Sequence, residues 1–480
     1  MKPLTRAARV CLVIATVVCF TFTNAVAPLS EGRAFTLSEE NELGRKLLEK
    51  IRQHMQLVED GEVLTYVQSV GNRIVEHMGT SPYEFRFFVI NEPVPNAFAI
   101  PGGYVFVFRG LIEVLEDEGE LASILSHELA HVQARHIERR MKEGRILSIA
   151  SLAGLLAGIL LAGKTGASPA LALGGAAGAQ TAALKYSREF ETEADQIGLR
   201  NLCEAGYDPK DMAEAMQRLE QFRFLNNARI PSYLSTHPAV AERVQYLNEL
   251  VYSHKEWFGK KRVSPTATDF PLMKAALIAD YSEPARAMER FKAGVRKREA
   301  EAFYGMGRLY MRQGDNAQAL SMLQEAVRLR PGSPFILSSL GKVYHQLGRL
   351  PEAQKALQTA LLTDSSTIIA QYRLALVLQD QGKREEALEH LQSIQRYALS
   401  FPDIDYQMGI ILGQNNRIGL AHYHLGHYYE SKQDLKLALF HYQKARVLLR
   451  DSVEKMNELD KSIKALEKEK KESVSHQARR

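Results

Sequence analysis

Cysteine is scarce, with three in 480 residues, and two of them, Cys11 and Cys19, fall within the first twenty. A disulfide-stapled framework is thereby excluded, and a chain this long does not need one to hold its core. If the N-terminus is removed, Cys203 stands alone, can form no internal bridge and reads as a buried apolar residue. An excess of one charge sign is also lacking. Sixty-one Lys and Arg against 56 Asp and Glu leave +5, too little for this length to suggest a nucleic-acid partner. With 45% hydrophobic and 24% charged residues the composition is that of a soluble globular protein. The length predicts roughly two to four domains.

Long hydrophobic runs are few as well, and each has its own meaning. Lys2, Arg6 and Arg9 precede the apolar run "VCLVIATVVCFTF" and then "TNAVA", with Ala25 and Ala27 in a small-residue cleavage pattern. This predicts a signal peptide over residues 1–27 and export to the periplasm, with a retained anchor as the alternative. Pro28 counts against cleavage at that bond, and the bulk of Val18 counts against lipoprotein processing at Cys19. Between Ile146 and Leu184 the only charge is Lys164, and "ILSIASLAGLLAGILLAG" runs eighteen residues uncharged. A spanning helix needs roughly 20. The Ala and Gly content favours a pair of buried or interfacial helices near the site, with peripheral membrane contact, over a membrane hairpin.

Helical patterning runs from about Leu37 to Met78. "YEFRFFVI" (Tyr83 to Ile90) and "AFAIPGGYVFVFRGLI" (Ala97 to Ile112) read as strands, the second broken by a turn at Pro101-Gly102-Gly103. Glu118 to Glu143 returns to helix. The C-terminal half is repetitive. Gly307, Gly341 and Gly426 each begin the same offsets, with Ala319 and Leu323, Ala353 and Leu357, Ala438 and Tyr442 following; Ala375, Ala387 and Leu391 mark a further copy. The period of about 34 residues resembles the tetratricopeptide repeat. A degenerate earlier copy starts near Phe270, with Ala275, Ala287 and Phe291, and "FPDIDYQMGIILGQNNR" reads as an insertion. The aligned residues are packing residues, so the repeats argue for protein or peptide partners and not for chemistry. Residues 451–480 read as a charged, solvated helical tail.

The chemistry concentrates in "SILSHELAHVQARH". His127 and His131 are four apart, within about 40° of each other on one helix face. Two imidazoles so placed can bind one zinc ion, and Glu128 can act as general base toward water. A zinc protease needs a third protein ligand. A third histidine in the same segment fails, because Ala134 stands where glycine is needed and Ile137 where histidine is; His136 belongs to the helix surface or supports a ligand. The better candidate is "SREFETEADQIGL". Glu191 can complete the site, and Asp195, one turn on, can hold a ligating histidine by its other ring nitrogen. A solvated acidic helix face is the plain alternative. In "YLSTHPAVAERVQYL", His237 and Arg243 can stabilise an oxyanion; alternatively His237 takes the fourth zinc position and keeps the enzyme latent.

Taken in order, HELAH, ETEAD and STHPAVAER resemble the peptidase family of HtpX and the CAAX prenyl proteases, which are gluzincins. The signal peptide and repeats bring the resemblance closer to its BepA-like periplasmic branch. The resemblance implies His127, His131 and Glu191 as ligands of one zinc ion, Glu128 as catalytic base, Asp195 as a support, and His237 and Arg243 as the downstream pair. In that branch the matching histidine can also cap the metal. The strand "AFAIPGGYVFV" would be the edge that pairs with an extended substrate. The expected fold is α+β, mostly α: a zinc metalloprotease domain with a small sheet over 28–262, then an α-solenoid of tetratricopeptide repeats over 263–450. The expected function is an exported zinc endopeptidase in quality control of outer-membrane proteins. Its partners would be unfolded or stalled outer-membrane proteins and their assembly machinery. A chaperone or scaffold with a largely latent protease site is the rival reading, and a membrane-embedded protease the second.

Overall fold

The computed structural model describes residues 36–142, 187–225, 232–238, 240–253, 269–398 and 401–477. The proposed signal peptide and the apolar segment 146–184 lie outside them. The chain forms two compact units, one of residues 1–58 and 67–267 and one of residues 59–66 and 268–480. Each has its own core.

In the first unit, α1 (Leu37–His54) starts at a capping box. The Thr36 hydroxyl accepts from the Glu39 N–H at 3.2 Å, and the Glu39 carboxylate accepts from the Thr36 N–H at 2.8 Å. Its apolar stripe, Leu43, Leu47 and Ile51, packs on the phenyl rings of the sheet. Helix α2 (Gly61–His77) follows, its first residues belonging to the second unit. Strands β1 (Arg86–Ile90), β2 (Ala97–Ile100) and β3 (Tyr104–Phe108) form a sheet in the order β1-β3-β2. β1 is parallel and β2 antiparallel to β3. Register places Phe88 and Phe98 on either side of Phe106, and their rings stack on it at 5.2 and 5.0 Å. The β2–β3 turn needs Gly102 and Gly103, whose φ angles of +86° and +84° lie where a Cβ is strained.

The second strand is shorter than its apolar run suggested. It ends at Phe108, and Arg109–Val114 forms helix α3 instead. The long helix expected to Glu143 is likewise two, α4 (Glu118–Gln133) and α5 (His136–Lys142), because Arg135 between them is left-handed at φ +54°. α4 is buried from Glu118 to Val132, so it is the central helix of this unit. α6 (Arg188–Glu204), capped by Ser187, crosses it closely: the Ser126 hydroxyl donates to the Gly198 carbonyl at 2.6 Å. α7 (Lys210–Leu225), α8 (Ser232–Thr236) and α9 (Val240–Ser253) complete the described part. Cys203, expected to be buried, is only partly so.

The second unit is a run of helical pairs from Phe270 to Leu448. Where two helices of a repeat cross, a Cβ on Gly307 would strike Leu323 at 2.7 Å, and one on Gly341 would strike Leu357 at 2.5 Å. Small residues there let the backbones approach. The same relation holds for Gly409 against Leu425, at 2.7 Å. The stretch read as an insertion is therefore mostly the helix Asp403–Gln414, in the register of Gly307, Gly341 and Ala375. The tail also differs from expectation. Helix Val453–Gln477 buries Leu459, Ile463 and Leu466 against Tyr442 and Ala445, so this part of it is packed and not wholly solvated.

Candidate metal centre

Three helices and one short turn of helix deliver the site. α4 places the Nε2 atoms of His127 and His131 3.0 Å apart. α6 brings up Glu191, whose two oxygens lie 3.6 Å from those two nitrogens. His237, just past α8, puts Nδ1 3.0 Å from Glu191 Oε1 and 3.3 Å from His127 Nε2. One ligand atom from each of the four lies within 4.8 Å of all the others, and all four residues are buried. Among the described residues this is the one such group found.

Around these atoms lies a supporting layer. Asp195 Oδ1 stands 3.0 Å from His127 Nδ1, the nitrogen that points away from the cluster. Arg243, on α9, donates to both oxygens of Asp195, from Nε at 2.8 Å and Nη2 at 2.6 Å, and pairs with Glu191 at 2.6 Å. Burial alone would raise the Asp195 carboxyl, but Arg243 and His127 outweigh it and hold it at about 2. His136 is fully buried, not on the helix surface. Its Nδ1 lies 2.8 Å from His131 Nδ1, its ring stacks on Phe190 at 4.5 Å, and Nε2 meets Glu193 at 3.2 Å. The left-handed Arg135 turns α5 back so that His136 can reach.

Glu128 is buried beside the cluster, and burial raises its pKa above the usual carboxylate range. That direction suits a base that must take and return a proton near neutrality. Its Oε1 has no hydrogen-bond partner, with His237 Nε2 3.5 Å away. The hydroxyl of Tyr233, whose ring stacks on His237 at 4.4 Å, is likewise buried and unpartnered. Unsatisfied buried polar atoms around two histidines and a carboxylate are what a site for a metal ion and a reacting molecule requires. The donor set is that of zinc. Tyr233 was not picked out from the sequence, although its position one helical turn before His237 was the available signal. His127, Glu128, His131, Glu191, Asp195, His237 and Arg243 are all brought together.

This fold and site define a metalloendopeptidase. The chain carries a domain of peptidase family M48, which matches at residues 63–251, followed by tetratricopeptide repeats, which match at 279–334, 310–368 and 369–400. It is 27% identical over 386 residues to the beta-barrel assembly-enhancing protease of Yersinia pestis, covering 78% of this chain and 76% of that one. To the protein of the same name from Escherichia coli (strain K12) it is 28% identical over 382 residues, with coverage of 78% and 76%. A mitochondrial metalloendopeptidase OMA1, of Schizosaccharomyces pombe, is 33% identical over 205 residues, 42% of this chain and 56% of that one.

Proposed function

We propose that the chain is an exported, periplasmic zinc endopeptidase that acts in the assembly and quality control of outer-membrane proteins, its repeats binding clients or partner proteins. The observation that carries the reading is the convergence of His127, His131, Glu191 and His237 on one point with Glu128 beside it. The names of the bacterial relatives support the choice of substrate, and the sequence of the N-terminus supports export. His127, His131 and Glu191 would hold one zinc ion per chain. When bound, zinc supplies Lewis-acid polarisation of the scissile carbonyl and activation of water. Glu128 takes the proton of the attacking water and passes it to the leaving amine. Asp195 fixes the ring of His127, and Arg243 pairs with both Glu191 and Asp195. Strand β2, at the sheet edge beside α4, offers backbone groups to an extended substrate.

His237 supports a second element of this reading, a latent state. Its Nδ1 lies 3.3 Å from His127 Nε2 and 3.0 Å from Glu191 Oε1, close enough that it would compete with water or substrate for a bound ion. Among the described residues no helix is long and apolar enough to cross a membrane, and the membrane-hairpin reading of 146–184 falls outside them. Extraction by alkaline carbonate decides that point. The test of the main reading is cleavage of unfolded casein by the zinc-loaded chain, its Glu128→Gln variant and its His237→Ala variant. Loss of activity in the first and a gain in the second are expected. No cleavage by any of the three, with zinc bound and the fold intact, would favour a chaperone or scaffold.

A further inference from the structure

The two histidines of the centre are supported by different means. His127 turns Nδ1 toward a carboxylate, with Asp195 Oδ1 at 3.0 Å. His131 turns its own toward another imidazole, and the Nδ1 atoms of His131 and His136 stand 2.8 Å apart. Two nitrogens so placed share one hydrogen, and the ring that carries it decides whether His131 can hold a metal. A histidine that ligates through Nε2 as a neutral ring keeps its hydrogen on Nδ1. His136 must therefore accept, and a further group must keep the hydrogen of His136 on its far nitrogen.

Glu193 is that group. Its Oε2 lies 3.2 Å from His136 Nε2, and a carboxylate only accepts, so Nε2 carries the hydrogen. His136 is fully buried, where the neutral ring is favoured, so its Nδ1 carries none and takes that of His131. The Nε2 lone pair of His131 is thereby turned to the cluster, 3.0 Å from His127 Nε2. The outer end of this chain reaches solvent. The side chains of Glu193 and Arg139 are each 40% exposed, and Arg139 Nη1 donates to the same Oε2 at 2.6 Å. Phe190 steadies the middle, with the His136 ring stacked on it at 4.5 Å and 13° and the Arg139 guanidinium 4.5 Å from its centroid. We propose that Glu193 and His136 are positioning residues of the metal centre, a relay through which an exposed carboxylate fixes the tautomer of His131 from two rings away. Without the Glu193 oxygen, His136 can move its hydrogen to Nδ1. His131 must then accept at Nδ1 and carry its hydrogen on Nε2, where it blocks the metal.

The proposal rests on His127, His131 and Glu191 holding zinc and names what sets the strength of that hold. The test uses the full chain stripped of metal. Competition with a fluorescent chelator measures zinc affinity, and urea unfolding measures the stability of the metal-free chain. His136→Phe keeps the stack on Phe190 but cannot accept, so zinc should bind about ten- to hundredfold more weakly while the metal-free chain unfolds at the parent's urea concentration or above it. Glu193→Ala should weaken zinc by about tenfold, and Glu193→Gln, whose amide oxygen still accepts, should stay within about threefold of the parent. Parent-like zinc affinity in His136→Phe, or equal affinity in Glu193→Ala and Glu193→Gln, would overturn the relay. So would a loss of zinc in His136→Phe matched by an equal fall in metal-free stability, since packing alone explains that result. The Glu193 pair, on a half-exposed side chain, keeps the test decisive if His136→Phe does not fold. No zinc bound by the parent overturns the peptidase reading and the relay with it, whereas zinc bound alike by parent and variants overturns the relay alone.

Discussion

Gly198 on α6 is the place where one added side chain should cost most. A Cβ there would stand 3.2 Å from the N and Cα of His127 and 3.2 Å from the Ser126 carbonyl oxygen. Carbon contacts settle near 3.5–4.0 Å, so the two helices must part by a few tenths of an ångström to admit even alanine. Alanine gains about 1 kcal/mol of helix propensity over glycine, against about 1–3 kcal/mol for overpacking, so Gly198→Ala should be neutral to mildly destabilising. Gly198→Val gives up most of the propensity gain and adds two more methyl groups to a gap too small for one. A loss of about 3 kcal/mol is expected. The strain also falls on the site, because α6 carries Glu191 and Asp195 while the atoms it presses are the backbone of His127. Zinc should therefore be stripped by a chelator at concentrations about tenfold lower. Urea unfolding and chelator competition measure the two effects. If Gly198→Val melts in urea as the parent does and keeps its metal as tightly, the closeness of α4 and α6 does not set the site's geometry, and the reasoning fails.

Asp195→Asn should weaken zinc binding by about ten- to hundredfold, because the amide no longer anchors His127 as a carboxylate does and Arg243 keeps a buried charge with one partner fewer; zinc competition with a fluorescent chelator reads this directly. Arg308→Met removes the guanidinium that holds Asp60, Glu62 and Asp280 in the second unit, at an expected cost of about 3 kcal/mol in urea. The figure sits at the low end because burial, with Asp60 beside it, raises Asp280 to about 8, so that it can shed its charge by binding a proton. A loss below about 1 kcal/mol would contradict the buried network. Asp211 gives a pH test. Burial, reinforced by Asp117 and Asp208, raises its pKa to about 7 from an unfolded value of 3.8, so its contribution is complete below the unfolded value and lost as pH rises through 7. Asp211→Asn should raise the Tm at pH 8 and leave it unchanged at pH 4; a change of equal size at both would refute the assignment.

How much of this was legible in the sequence follows from the range of each interaction. HELAH declares itself because its ligands are one helical turn apart, and the repeats do because Ala319, Ala353 and Ala387 recur at a fixed interval. The helix Asp403–Gln414 was hidden by its neighbour: Gly409 keeps the 34-residue interval from Ala375, but Gly426 offers a rival register seventeen residues on, and either alone completes a plausible copy. The end of β3 was hidden for another reason. Val105 to Ile112 is buried throughout, and an apolar run broken only by Arg109 and Gly110 has no period that distinguishes strand from helix. In the tail, Leu459, Ile463 and Leu466 do have helical spacing, but the charges between them masked the stripe.

The acids of α6 show why a site of this kind resists reading one segment at a time. In isolation "REFETEAD" is a solvated face, since four carboxylates on two turns repel one another and seek water. Burial reverses the reading, because Glu191 and Asp195 are both almost fully shielded while Glu189 and Glu193 stay on the outside. Two buried negative charges need compensation, and Arg243 supplies a single positive one. The uncompensated negative charge, set beside two histidines whose ligand nitrogens converge on Glu191, is what draws a cation to this point. The charge count of the assembled core, rather than the acidity of any one stretch, is therefore the feature that separates a metal site from a polar helix.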